Sequence, residues 1–190
     1  MDIEVTSGGL LSIVILSALT HSDQINESDT RTLAYHTSSF EVASEVTHVK
    51  SLNADILLGT DPDADRVGIG VKNHKGEWVL MNGNQTAVLA FAYLIEARKA
   101  KGIAKPNDMV ISTIVTTAMI NEVAKQNGVA CYNVLTGFKW IAELIKEKEA
   151  NENYVIGGEE SFGLMIGNEI RDKDAVSAVA LLCEMAAYEK

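Results

Sequence analysis

Asp61, Asp63 and Asp65 fall within five residues in the run Thr60-Asp61-Pro62-Asp63-Ala64-Asp65-Arg66. Like charges so close repel: at 4 Å and an effective dielectric near 20, each close pair costs about 4 kcal/mol. A free charge run spreads out and avoids this. Here apolar runs at 55–59 and 67–71 bracket the loop, and Pro62 restricts Asp61 to extended geometry. A divalent cation would relieve the repulsion, and three carboxylate oxygens suit a hard ion such as Mg2+. An EF-hand loop does not fit. Counted from Asp61, its Gly and Glu places hold Arg66 and Lys72.

Two other readings of the loop stay open. Phosphatases of the haloacid dehalogenase type also carry an acidic pair after an apolar strand, but Asp65 stands where their pattern has Thr or Val. A solvated acidic surface turn is the second. A further loop, Gly157-Gly158-Glu159-Glu160-Ser161-Phe162-Gly163, follows an apolar run. It is no P-loop, because Leu164 stands where Lys is required. Its two glutamates oppose phosphate and suit hydroxyls, since a carboxylate accepts hydrogen bonds from neighbouring sugar hydroxyls and a serine donates or accepts. A tight turn with exposed glutamates is the structural alternative. Thr136-Gly137-Phe138-Lys139-Trp140 lies between a strand-like and a helix-like segment, where ligands bind in open α/β sheets. Phe138 and Trp140 read as core residues. In Arg171-Asp172-Lys173-Asp174, Asp174 reads as a helix N-cap, and Lys173 as a surface charge or a phosphate contact.

These segments need elements to position them. Short apolar runs at 55–59, 67–71 and 78–81 read as strands, with a hairpin turn at 73–76. A helix runs from an Asn84 or Thr86 cap to about Lys101. Alternation follows: strand 109–115, helix 116–126, strand 129–134, helix 138–149, strand 154–156 and helix 174–189. Such alternation predicts a parallel sheet covered by helices. A boundary falls near 82–84, giving a mixed-sheet segment over 1–83 and an α/β three-layer domain over 84–190. Residues 41–52 read as a helix, and the apolar run 10–19 as a buried strand or helix. Residues 1–39 carry no motif.

Composition narrows the function. The 190 residues carry 26 Asp and Glu against 16 Lys and Arg, a formal charge of -10. Such a chain repels nucleic-acid backbones. The run 10–19 is shorter than the roughly 20 residues a membrane span needs, and its leader lacks a basic signal-peptide start. Two cysteines, Cys131 and Cys183, with no CxxC pair indicate neither zinc nor a disulfide scaffold and fit a cytoplasmic protein. The four histidines lack ligand spacing.

Taken in order, Gly59-Thr60-Asp61-Pro62-Asp63-Ala64-Asp65-Arg66, Asn82-Gly83-Asn84-Gln85-Thr86, Thr136-Gly137-Phe138-Lys139-Trp140-Ile141, Gly158-Glu159-Glu160-Ser161-Phe162-Gly163 and Arg171-Asp172-Lys173-Asp174 resemble the α-D-phosphohexomutases. The likeness is to the phosphoglucomutase/phosphomannomutase branch, which also holds phosphopentomutases, and covers about residues 40–190. It implies a four-domain, Mg2+-dependent enzyme. That enzyme moves phosphate between positions 1 and 6 of a glucose or mannose phosphate through a phosphoserine and a bisphosphate intermediate. It implies that Asp61, Asp63 and Asp65 bind Mg2+. Arg66 and Lys173 become catalytic groups beside the phosphate. Thr136, Gly137, Glu159, Ser161 and Lys173 become contacts to the phosphosugar.

The sequence departs from that family in two places. It has no Thr-Ala-Ser-His-Asn-Pro-like segment for the phosphoserine and no Arg-x-Ser-Gly-Thr-Glu-Pro-like phosphate loop. The expectation is therefore a fragment, the end of domain 2 plus domain 3, inactive without domains 1 and 4. The alternatives are the dehalogenase-type phosphatase and a non-catalytic sugar-phosphate-binding remnant.

Overall fold

The computed structural model describes residues 3–5, 13–17, 54–61 and 63–188. A five-stranded sheet runs in the order β1 (Ile3–Val5), β2 (Ile13–Ser17), β3 (Ile56–Thr60), β4 (Val67–Lys72), β5 (Trp78–Met81). Strand β2 lies parallel to β3, with Ile13 opposite Ile56, and the other neighbours are antiparallel. The run 10–19 thus contains a strand. The helix expected over 41–52 lies outside the described residues. The β4–β5 hairpin turns where expected: Asn73 Oδ1 accepts from the N–H groups of Lys75 and Glu77, and Gly76 takes a φ of 77°.

Helix α1 (Gly83–Ala100) follows. Its cap is Asn82, not Asn84 or Thr86. Asn82 Oδ1 accepts from Gln85 N at 2.9 Å while Asn82 N donates to Gln85 Oε1 at 2.9 Å, a complete capping box. The expectation failed because the first asparagine of Asn-Gly-Asn has the glutamine three residues on, and the second does not.

The second sheet has the order β7 (Ala130–Val134), β6 (Asp108–Thr113), β8 (Asn153–Gly158), β9 (Leu164–Ile166). Strands β7, β6 and β8 are parallel, as alternation predicts. Strand β9 is an antiparallel edge absent from the sequence reading, because three residues are too few for an alternation signal. Strand β6 is buried throughout, the mark of a central parallel strand. It stops at Thr113 rather than Val115, and helix α2 (Met119–Gln126) starts three residues later than expected. The intervening residues make a turn that closes with Thr116 N donating to Thr113 O.

Helix α3 (Phe138–Lys148) covers one face of this sheet, packing Phe138, Ile141 and Ile145 on Met109, Ile111, Tyr154 and Met165. Helices α1, α2 and α4 (Ala175–Tyr188) cover the other with Phe91, Ile120 and Leu182 on Val110, Val155 and Ile156. That is a three-layer α/β arrangement. The second core also takes in Ile56, Leu58, Val67 and Ile69 from the first sheet, so both sheets share apolar burial. Each such side chain contributes roughly 1.5–3 kcal/mol on leaving water. Among the described residues, no helix is long and apolar enough to cross a membrane.

Candidate functional site

The acidic loop joins β3 to the antiparallel β4. Asp61 shapes it: its Oδ1 accepts from the N–H groups of Asp65 at 3.1 Å and Arg66 at 3.0 Å, and its carbonyl accepts from Ala64 N at 3.0 Å. Ala64 takes a left-handed φ of 55° to complete the turn. One carboxylate oxygen each from Asp61, Asp63 and Asp65 lies within 4.8 Å of the others. Burial pushes the Asp61 carboxyl up to about 6; Asp65 and Asp63 add to the rise, while the Arg66 N–H opposes it. Three hard oxygen donors converging at one turn fit Mg2+ or Ca2+ and do not fit a soft metal.

The glycine-rich loop joins β8 to β9. Glu159 is 5 % exposed, and its Oε1 accepts from Gly137 N at 2.6 Å. Gly137, with a φ of 114°, opens α3, so Glu159 satisfies a helix N-terminal N–H from another strand. Among the described residues no hydrogen bond reaches Glu159 Oε2 or Ser161 Oγ. Thr136 is exposed beside them. Phe162 is left-handed with a φ of 69°, and Glu159 N closes the loop onto Gly163 O at 3.0 Å.

Backbone contacts bring the two loops together. Arg66 and Gly163 form an antiparallel bridge, and Val67 N donates to Phe162 O at 3.3 Å. Ala175 N, at the start of α4, donates to Ala64 O at 3.0 Å. Asp174 caps α4 as expected, accepting from the N–H groups of Val176 and Ser177. Just before it, Lys173 Nζ lies 2.9 Å from Asp65 Oδ2, 3.0 Å from Asp172 Oδ1 and 5.1 Å from the Phe138 ring centroid. Burial disfavours the Lys173 charge, but Asp65 and Asp172 outweigh it and raise its pKa. The lysine stem lies on Gly163, where an added Cβ would meet Lys173 Cδ at 2.6 Å. Arg66 Nε is buried without a hydrogen bond among the described residues, 3.7 Å from Asp65 Oδ1.

Asp61, Asp63, Asp65, Arg66 and Lys173 therefore stand on one side, and Glu159 and Ser161 on the adjoining loop with Gly137 at the start of α3, the two sides meeting at the Arg66–Gly163 bridge. The cavity beside Thr60, Asp61, Arg66 and Phe162 is about 40 Å³, room for a water and not a hexose. Sequence reasoning did not find Thr116, which bonds Glu160 of the glycine-rich loop, or Thr113 behind it, and it named Gly83 only within the Asn82–Thr86 motif, without its approach to the Glu160 carbonyl. The available signal was two threonines spaced across a strand end and a glycine between two asparagines.

Comparison with known proteins adds the family. The model described as phosphoglucomutase/phosphomannomutase, alpha/beta/alpha domain III, matches residues 82–190. A phosphoglucomutase of Staphylococcus epidermidis is 38% identical over 139 residues, covering 73% of this chain and 25% of that protein. One from Staphylococcus aureus is 36% identical over 138 residues, covering 73% and 24%. The chain spans about a quarter of the length of these relatives. Among solved structures, the open form of the Paramecium phosphoprotein pp63/parafusin, a phosphoglucomutase, superposes with a TM-score of 0.54 at 25% identity over 72% of this chain and 21% of its own. An Aspergillus fumigatus N-acetylphosphoglucosamine mutase, solved with GlcNAc-6P and magnesium, shares the fold with a TM-score of 0.53 at 16% identity, over 71% and 31%.

Proposed function

The chain belongs to the phosphoglucomutase/phosphomannomutase family, and from that premise we propose that it supplies the metal-binding and sugar-binding parts of a phosphohexomutase. Residues 1–83 would form part of the second domain and 84–190 the third. The reaction moves a phosphoryl group between the 1 and 6 hydroxyls of a glucose or mannose phosphate. A P–O bond to a phosphoserine breaks as one forms to a sugar hydroxyl, whose proton leaves. The resulting bisphosphate returns its other phosphoryl group to the serine. In the family's form, neither the serine segment nor the terminal phosphate loop occurs in these 190 residues. We therefore propose that turnover needs both from elsewhere.

The observation that carries the reading is the convergence of Asp61, Asp63 and Asp65 beside Lys173, with the acidic loop bridged to the glycine-rich loop. The three aspartates would hold Mg2+, which when bound supplies charge neutralisation for the transferring phosphoryl group. Arg66, whose Nε makes no hydrogen bond among the described residues and lies 3.7 Å from Asp65 Oδ1, would donate to that phosphate. Lys173, held beside Asp65, would bring a cation to the same oxygens. Glu159 and Ser161 would orient the sugar through its hydroxyls, and Thr136 and Gly137 would line the same surface. The phosphosugar and magnesium bound by the Aspergillus relative are in keeping with this assignment.

Calorimetric titration with MgCl2 tests it. The folded chain is expected to bind Mg2+, and Asp63→Asn to lose binding while keeping its Tm. A folded wild type that binds no Mg2+, alone or with a first domain added in trans, would reject the metal assignment. The dehalogenase-type alternative expects phosphate release abolished by Asp61→Asn. It is disfavoured because the acidic loop joins two antiparallel strands within the first sheet.

A further inference from the structure

Glu159 and Glu160 are neighbours in sequence with different surroundings. Glu160 is held at three points. Its backbone N–H donates to Thr116 Oγ1 at 3.3 Å. Its carboxylate Oε2 accepts from the same hydroxyl at 3.0 Å. Its carbonyl oxygen sits against Gly83, where any Cβ would collide with it.

Thr116 Oγ1 also lies 2.7 Å from Thr113 Oγ1, and both threonines are buried, at 8 % and 1 % exposure. A hydroxyl has one proton and two acceptor sites. Thr116 gives its proton to the carboxylate, so Thr113 must be the donor between the two threonines. The Thr116 hydroxyl is then saturated: one bond given, two received. The turn carrying it is fixed in turn, since Thr117 N donates to Asn84 Oδ1 at 2.9 Å on the first turn of α1.

We propose that Thr116 is a positioning residue for the sugar-binding loop, acting through Glu160, with Thr113 fixing the direction of its hydroxyl. Glu160 is the loop's anchor and not a sugar contact. Its attachment to the end of β6 sets where Glu159 and Ser161, on either side, present their oxygens. A buried, saturated hydroxyl has no alternative partner, so the loop's position is set before any ligand arrives. The inference rests on the reading of 158–163 as the sugar loop.

The test uses Thr116→Val, which keeps the shape and removes the hydroxyl, and Thr116→Ser, which restores it. The first readout needs no ligand. Hydrogen exchange at Glu159 N, bonded to Gly163 O, is expected to speed up about tenfold in Thr116→Val, with the interior amides of β6 and β8 unchanged. Thr116→Ser is expected to exchange as wild type. Unchanged loop exchange in Thr116→Val, equal loosening of the whole sheet, or failure of Ser to rescue would overturn the proposal. The second readout is glucose 6-phosphate affinity, expected to weaken about tenfold in Thr116→Val and in Glu159→Gln, and to recover in Thr116→Ser. If wild type binds and Thr116→Val binds equally well, the positioning role fails while the sugar-loop reading stands. If wild type binds no glucose 6-phosphate but the exchange pattern holds, the sugar reading fails and the anchoring of the loop stands.

Discussion

At the end of β3 three aspartates share one turn, and one of them, Asp61, closes it by accepting two backbone N–H groups. At the end of β8 two glutamates are drawn to opposite anchors, Glu159 to Gly137 and Glu160 to Thr116. Each loop also holds one non-glycine residue in the left-handed region, Ala64 and Phe162. Such geometry costs of order 1–3 kcal/mol and persists only where the surroundings enforce it. What enforces it differs. The acidic loop keeps its like charges together, with Lys173 as the cation against them. The glycine-rich loop satisfies its anchoring charge internally before any ligand arrives. One loop gathers like charges against a single lysine, the other is fixed by internal hydrogen bonds.

The strongest break in that comparison is Gly83→Ala. The new Cβ would push the Glu160 carbonyl off the start of α1. Overpacking of this kind costs about 1–3 kcal/mol, a Tm fall of roughly 3–10 °C for a chain of this size. Mg2+ affinity is expected to hold, because Gly83 touches the other loop. An unchanged Tm by calorimetry would mean that α1 does not brace the loop.

Lys173→Met comes next. Methionine keeps an apolar stem on Gly163 and Phe138 but removes the charge facing Asp65. In metal-free buffer the expected loss is about 1 kcal/mol. Saturating Mg2+ is expected to close most of the gap, since the ion supplies the missing positive charge. A gap of equal size with and without Mg2+ would show that Lys173 acts through packing alone.

How much of this was legible in the sequence follows from the same contrast. The acidic loop was readable because repulsion is local: three aspartates between apolar runs identify themselves. Asp174 as a cap was readable for the same reason. The support of the glycine-rich loop was not, since Thr116 and Glu160 are 44 residues apart and meet only when β6 and β8 pair. Phe138 read correctly as core, and its second use as a face for the Lys173 cation depends on tertiary approach. The parallel pairing of β6 with β7 and β8 followed from alternation, their spatial order did not, and β9 was too short to signal. The family motifs carried the functional reading further than any single residue did.

Acidification sharpens the comparison through Asp61 of the acidic loop. The Asp61 pKa of about 6 lies above the ordinary 3.8, so the folded chain binds that proton more tightly than the unfolded one. In the metal-free state this stabilises the fold as pH falls through 6 toward 4 and is lost as pH rises through 6. Metal binding has the opposite sign, because the ion needs the ionised carboxylate. At pH 5.5 about a quarter of Asp61 would be ionised against nearly all at 7.5, so Mg2+ affinity should drop about fourfold. An affinity independent of pH over this window would remove Asp61 from the ligand set.

The smallest expected effect separates two adjacent hydroxyls on β6. Ser112 and Thr113 are both 1 % exposed, yet Thr113 is bonded to Thr116 while Ser112 Oγ has no partner among the described residues. A buried hydroxyl without a partner forfeits its bond to water and gains none in return. Ser112→Ala should therefore leave stability within about 0.5 kcal/mol of wild type, or raise it. Thr113→Val, by contrast, should cost about 1 kcal/mol and loosen the glycine-rich loop, because Thr116 loses the donor that fixes its hydroxyl. Denaturant unfolding of the two variants side by side measures the difference. Equal losses would mean that burial at the end of β6, rather than the hydroxyl chain running to Glu160, is what these residues contribute.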